Sequence, residues 1–374
     1  MPKKQTRLVQ TSSNASMSEV EHVECSRDAI VATTPLPALV PSHSTIDDKS
    51  EHDYFCQQYY MAHALPSSIT HFAGASPRSL ERSHLENICA EECAVLFKTD
   101  GVRMSLLMTT DQSGAPIALM INRAMVMYEV EVHAHAKFFR LGTLLDGELV
   151  WEYVNYVPQL RFLIFDVVRV AGALQSHLDY TMRIQSITHR ISNADVTDAT
   201  LIDTDSIRAT NNEHNLMFQV KQFWRFDALR RMWQQRNECF HRNDGLIFIL
   251  TRHALEINTA QKTYKWKGLH TIDVTLRKQE DGSWTAFAYS GRIDRVGRRK
   301  VVVQPNEVVD KVVGKVVECT CQLNDSEALL IPLKIRLDKL HGNSVHTIER
   351  TFVNIEEAIG IDELLRASDT TISR

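Results

Sequence analysis

Hydrophobic residues are scattered in the first part of this chain and gather into runs after it. From Met1 to about Ser50, single apolar positions stand among Ser, Thr and Pro, with prolines at Pro35, Pro37 and Pro41. Such a segment buries too little apolar area to offset the entropy of ordering it. Residues 1–50 therefore read as a disordered tail, with order expected from near Tyr54. Further on, two apolar runs, Ala94-Val95-Leu96-Phe97 and Met104-Ser105-Leu106-Leu107-Met108, predict buried strands joined through a turn at Asp100-Gly101. Ser79 before Leu80, Leu85 and Ile88 reads as the cap of a helix. Strands are also predicted around Ile121–Tyr128, Arg161–Val168 and Leu246–Ile249, and the polar stretch Asn193–Asn215 reads as a loop or insertion.

From Thr271 the texture changes to short alternating runs such as Thr271–Leu276 and Lys315–Thr320, punctuated by Gly282, Gly291, Gly297 and Gly314. That pattern predicts a small antiparallel barrel, and an OB-fold suits its length. The end of the chain, Arg350–Glu357 and then Ile361–Leu365, is amphipathic and helical. The fold class is α+β.

Composition changes this picture little. The 374 residues suffice for two or three domains, and the apolar and charged fractions are those of a globular protein. No apolar run approaches the roughly 18 residues of a membrane span, and the N-terminus has no signal-peptide core, so an intracellular protein is expected. A net charge of -4 argues against coating nucleic acid non-specifically, while leaving room for a local basic cleft. The cysteines Cys25, Cys56, Cys89, Cys93, Cys239, Cys319 and Cys321 match no common zinc spacing and read as reduced thiols of a cytosolic or nuclear protein. Lys3, Lys4 and Arg7 read as solvated charge.

The candidate chemistry sits at the strand ends. Lys98-Thr99-Asp100-Gly101-Val102-Arg103 places an amine at the edge of rigid scaffold. In Leu144-Leu145-Asp146-Gly147-Glu148-Leu149, the Asp-Gly turn presents Glu148 towards the same cleft, where a carboxylate can bind a ribose hydroxyl or help to hold Mg2+. Asn243-Asp244-Gly245 enters another strand, and Lys265 and Lys267 share one face of the next by their spacing of two. A paired cationic face lowers the pKa of a neighbouring nucleophilic lysine and neutralises a phosphoryl group. The last motif is Arg336-Leu337-Asp338-Lys339-Leu340-His341-Gly342-Asn343.

In order and spacing these motifs resemble those of the covalent nucleotidyltransferases, which comprise the polynucleotide ligases and the mRNA capping guanylyltransferases. The resemblance covers roughly residues 70 to 370. Arg336-x-Asp338-Lys339-x-x-x-Asn343 resembles the closing signature of the capping branch, and Phe72–Arg82 partly resembles the element that precedes its active lysine, with Ala73 and Arg78 departing from it. The C-terminal helix is similar to that of the small capping enzymes of chlorella viruses.

The resemblance implies a nucleotidyltransferase domain of antiparallel sheets and helices over 51–270, completed by a helix at 350–374, and a C-terminal OB-fold domain over 271–349. It implies that Lys98 forms a lysine-GMP adduct from GTP, releasing pyrophosphate, and passes GMP to a 5'-diphosphate RNA end. Lys265 and Lys267 would assist. Thr99, Arg103, Arg123, Glu148, Lys221 and Asp244 would bind the nucleotide, with Phe165 stacking on the purine beside Asp166 and Arg183 on the following helix. Lys221 would reach the guanine carbonyl. Arg336, Asp338 and Lys339 would grip the β and γ phosphates when the OB domain swings in. Glu148 and Asp244 would hold Mg2+ or Mn2+.

Glu129, Glu131, His133 and His135 would share one strand face by the two-residue period, as in a metal site or half of the Glu-x-Glu pair of metal-dependent RNA triphosphatases. No second such strand and no cysteine-phosphatase loop accompanies them, so a solvated face is preferred. A separate RNA triphosphatase and cap methyltransferase are therefore expected as partners, with RNA polymerase as a third candidate and no membrane. The expected location is the nucleus, or for a viral protein the host nucleus, cytoplasm or virus factory. The alternatives are an ATP-dependent polynucleotide ligase and a catalytically silent binding module.

Overall fold

The computed structural model describes residues 45–66, 68–154, 157–191, 206–209, 216–239, 241–308, 314–336 and 339–371. The expected tail up to residue 44, most of the stretch Asn193–Asn215, and Asp338 lie outside these described residues. Order begins before Tyr54. Thr45 bridges Tyr128, and Asp48 caps the helix Lys49–Ala62, accepting the Glu51 N–H at 2.9 Å. Phe55, Tyr59, Tyr60 and Ala62 are buried along that helix. The expected boundary at residue 50 is thus corrected: residues from Thr45 are ordered, because an aspartate just before a helix satisfies its free N–H groups and is not a mark of disorder.

Two sheets enclose the first core. One runs Ser76–Ser79, Thr259–Lys267, Asn243–Leu250, Cys93–Thr99, Trp224–Arg225; the other runs Met217–Val220, Val157–Val170, Thr143–Val154, Val102–Thr110, Pro116–Asn122, Met127–Glu129. The predicted turn at Asp100-Gly101 is therefore the step from one sheet to the other. Alternation then decides which way Lys98 points. Ala94 and Leu96 join the core shared with the second sheet. Cys93, Val95 and Phe97 face away, packing with Phe226, Leu229, Met232, Leu364 and Leu365. Lys98 continues the Ala94/Leu96 stripe and so lies between the sheets. Burial on both faces explains why the run reads as unbroken apolar sequence, and each large side chain buried there contributes about 1.5–3 kcal/mol.

Ser79 is not a helix cap. Ser76–Ser79 pairs in parallel with the Thr259–Lys267 strand, and the helix Arg82–Ala90 is opened by Glu81, which forms a reciprocal box with His84. Nor is Glu129–His135 one strand: Met127–Glu129 pairs with Pro116–Asn122, whereas Val132–Ala134 pairs with Ile207–Ala209.

The second core is a barrel. Its five longer strands in chain order are Thr271–Lys278, Trp284–Ala288, Arg299–Val303, Val316–Leu323 and Glu327–Ile335, which lie across the sheet as second, first, fourth, fifth, third, with the short strands Gly291–Arg292 and Arg295–Val296 at its two ends. The third and fifth run parallel and the other pairs antiparallel, the Greek-key arrangement of an OB-fold. All four glycines read as turns, Gly282, Gly291, Gly297 and Gly314, adopt positive φ.

The single C-terminal helix expected from residue 350 is two helices, Val345–Glu357 and Ile361–Thr371, separated where Ala358 turns left-handed at φ 47°. Their apolar faces serve different cores. Ile348 and Phe352 close the barrel, whereas Leu364 and Leu365 pack against the outer face of the sheet that carries Lys98. Between them, Asn354 Nδ2 donates to the Leu80 carbonyl at 2.7 Å and Trp266 Nε1 to that of Ile359 at 2.7 Å. No helix of the described residues is long and apolar enough to cross a membrane.

Candidate active site

Lys98, Gly245 and Lys267 lie side by side across three adjacent strands. The middle position carries no side chain. A Cβ on Gly245 would come within 2.0 Å of the Trp266 carbonyl oxygen, so the close approach of backbones at this point requires glycine. Register shifts between Asn243 and Gly245 bring the preceding Asp244 to both amines: its carboxylate is 2.5 Å from Lys98 Nζ and 2.6 Å from Lys267 Nζ. Burial pushes the Asp244 carboxyl up, but the two ammonium groups outweigh it and hold it below its usual value. Lys265, one step along on the same face, is held down to about 8 by burial and then by the charges of Lys267, Lys98 and Arg123.

Across the cleft, the register of the second sheet sets Arg103 opposite Glu148. The half-buried Glu148 accepts a 3.3 Å bond from the Gly101 N–H. Its carboxyl is raised by desolvation, against the pull of Lys221 and Lys98. Lys221 is buried and donates to Thr99 Oγ1. Desolvation lowers it to about 8 in spite of Glu148. The amine expected to meet a purine carbonyl thus reaches the same cleft as Lys98.

Arg103 is placed at the site but is already paired. Its guanidinium binds Asp146 through two bonds of 3.1 and 2.5 Å and the Ala75 carbonyl at 2.5 Å, with the rings of Phe72 and Phe165 at 5.4 and 5.3 Å. Phe165 is half-buried and lines the cleft. Asp166 beside it is held by Arg183 at 2.7 and 2.9 Å, which makes Arg183 a support of the wall. Arg123 stands at the exposed rim on a tight turn, where Asn122 Oδ1 accepts the N–H groups of Ala124 and Val126 at 2.9 and 3.0 Å.

Sequence reasoning missed Asp146, Lys262 and His253, which also line the cleft. Arg336 and Lys339 are not among its lining residues; both reach Asp273 of the barrel, Arg336 at 3.3 Å. His135 caps the helix Ala136–Arg140, and no group of three or more His, Cys, Asp or Glu among the described residues is placed to hold a metal ion.

A cationic row facing a carboxylate and a lysine pocket is suited to a phosphorylated nucleoside. The family model for the catalytic domain of the mRNA capping enzyme matches residues 39–268. The chain belongs to that family. Among capping-enzyme relatives, the mRNA-capping enzyme subunit alpha of Schizosaccharomyces pombe is 25% identical over 348 residues, covering 82% of each chain. Its counterpart from Neurospora crassa is 24% identical, covering 82% of this chain and 87% of its own. The mRNA-capping enzyme of Mus musculus is 23% identical over 74% of this chain, which spans about half of that longer protein, 46% of its length.

Proposed function

We infer that this chain is an mRNA guanylyltransferase that takes GTP as substrate and transfers GMP to a 5'-diphosphate RNA end. The observation that carries this reading is the row Lys98-Gly245-Lys267 bridged by Asp244, facing Glu148 and Lys221 across one cleft. In the proposed first step the Lys98 amine attacks the α-phosphorus: an N–P bond forms, the P–O bond to pyrophosphate breaks, and the amine gives up a proton. Lys265 and Lys267 supply the fixed positive charge that such a transfer needs more than it needs bond chemistry from the protein. In the second step a terminal phosphate oxygen of the RNA displaces Lys98 and GpppN is released.

Under this proposal Thr99, Lys221, Phe165 and Arg123 bind the nucleoside and its phosphates, and Arg103 with Asp146 forms the floor against which Phe165 is set. Mg2+ or Mn2+ would be held by Glu148 and Asp244 together with substrate phosphates. Two carboxylates suit that arrangement, since Mg2+ is commonly bound by one or two carboxylates plus phosphate oxygens. The metal would neutralise charge on the leaving phosphates. Arg336, Asp338 and Lys339 would act on the β and γ phosphates from the OB domain, with the domain boundary near residue 270. A nuclear location and separate triphosphatase and methyltransferase partners belong to the same proposal.

The test is intact mass after incubation with Mg2+ and either GTP or ATP, with peptide mapping. A GMP adduct on Lys98, absent from Lys98→Ala and discharged by diphosphate-ended RNA, is expected. An AMP adduct would move the chain to the ligases, and no adduct with either nucleotide would overturn the reading.

A further inference from the structure

The outer face of the barrel carries aromatic and cationic side chains that the chemistry above does not use. Alternation sorts them. Val274 and Leu276 point into the barrel core, as do Ala286 and Ala288, so Arg277 and Phe287 stand on the opposite face. The Arg277 guanidinium lies over the Phe287 ring at 4.5 Å. Arg292 is directly opposite Phe287 in the strand register. Next to this pair, Tyr289 is 67% exposed, and His341 stands edge-on to its ring at 5.2 Å.

The backbone that carries these exposed rings is fixed in place. The loop that carries His341 is bound to the barrel by Asn343: its N–H donates to the Asp273 carbonyl at 2.6 Å, its side-chain oxygen accepts from the Asp273 N–H at 2.7 Å, and its carbonyl accepts from the Tyr289 N–H at 2.9 Å. Gly342 lies so flat on the strands that a Cβ would come within 2.8 Å of the Asp273 carbonyl oxygen. Four constraints thus pin the backbone beneath the solvent-facing aromatics, beside the Arg336 and Lys339 cations that also bind Asp273.

We propose that this face, centred on Tyr289, Phe287 and Arg277, is a docking platform for single-stranded RNA, taking the nucleotides that follow the 5' end being capped. The proposal rests on the guanylyltransferase reading and names where its acceptor strand lies. Every base offers a π-face to an aromatic ring, and arginine adds stacking and phosphate contact, so such a platform is tolerant of sequence, as an acceptor common to all transcripts requires. A pinned backbone loses little freedom on binding, which favours strand capture over a mobile loop. Arg292 is paired with Asp294, and Arg336 and Lys339 with Asp273, but the Arg277 guanidinium lies over a ring and not against a carboxylate among the described residues, a placement that suits a polyanion better than an apolar protein segment.

The experiment compares Tyr289→Ala and Arg277→Glu with the unaltered chain in two separate steps. Adduct formation with GTP, which needs no RNA, is expected to be unchanged. In transfer from preformed adduct, KM for a diphosphate-ended RNA of about twenty nucleotides is expected to rise at least about fivefold in each variant, while KM for a dinucleotide acceptor stays the same. Arg277→Glu should also flatten the salt dependence of long-RNA binding. Equal KM values for long RNA in variants and parent would overturn the platform. Slower adduct formation would overturn it too, by showing that these side chains serve domain closure. Failure of the parent chain to form any GMP adduct would instead count against the activity itself.

Discussion

Lys221 and Lys265 carry the electrostatic cost of gathering so many cations around one cleft. Each is held to about 8 by burial, Lys265 with further help from neighbouring charges. Both are depressed bases, so in the free protein they hold their protons below about pH 8 and lose them above it. Phosphate anions favour the protonated forms, so binding above that value must take up protons. The affinity for a non-reacting GTP analogue is therefore expected to weaken from about pH 8 upward, and Lys265→Met should remove part of that dependence. Isothermal titration across that range, showing one constant Kd, would sink the assignment. At this scale Lys98 was legible from the apolar run it ends, Glu148 from the Asp-Gly string before it, and Lys265 and Lys267 from their spacing of two. Asp146 was not. In the string Leu145-Asp146-Gly147 it looks like a turn aspartate; the register sets it opposite Ser105, and only the folded side chains bring it to Arg103 two residues along.

A single missing side chain allows the element that joins Lys98 to Lys267. Gly245→Ala places a methyl group against the Trp266 carbonyl and the Lys267 Cα of the neighbouring strand. A loss of about 3 kcal/mol in unfolding free energy is expected, together with loss of adduct formation. Gly268→Ala is the control: its Cβ would meet only Trp266 Cη2 at 3.7 Å, an ordinary contact, and stability should stay within about 0.5 kcal/mol. Urea unfolding of the two variants checks this, and similar stabilities would refute the steric account. Most strands were legible from their apolar runs. The Ser76–Ser79 strand was missed because its pairing partner lies at Thr259–Lys265, and nothing local signals a parallel strand so short.

Across the whole molecule, the proposed phosphate-gripping residues and the nucleophile belong to different cores. Arg336 and Lys339 are held by Asp273 on the barrel, outside the lining of the Lys98 cleft. If they act only in the step that releases pyrophosphate, Lys339→Ala should slow adduct formation about 100-fold and leave transfer from preformed adduct intact. Single-turnover rates for the two steps decide the matter, and equal losses in both would refute the division of labour. The barrel itself was legible from its strand lengths and glycine turns. The parting of the C-terminal helices was not, because Val345–Glu357 and Ile361–Thr371 are both amphipathic, and amphipathicity does not say which core a face will meet. Their separate attachments have a mechanical result. The chain crosses between the two bodies twice, once at residues 268–270 and again at 358–360. A body tethered at one point swivels in every direction, but one tethered at two turns about the line between them. Were the barrel to swing in as proposed, its travel would be reduced to something near one coordinate, like a door on two pins, and its way back to the cleft would follow an arc instead of crossing a volume.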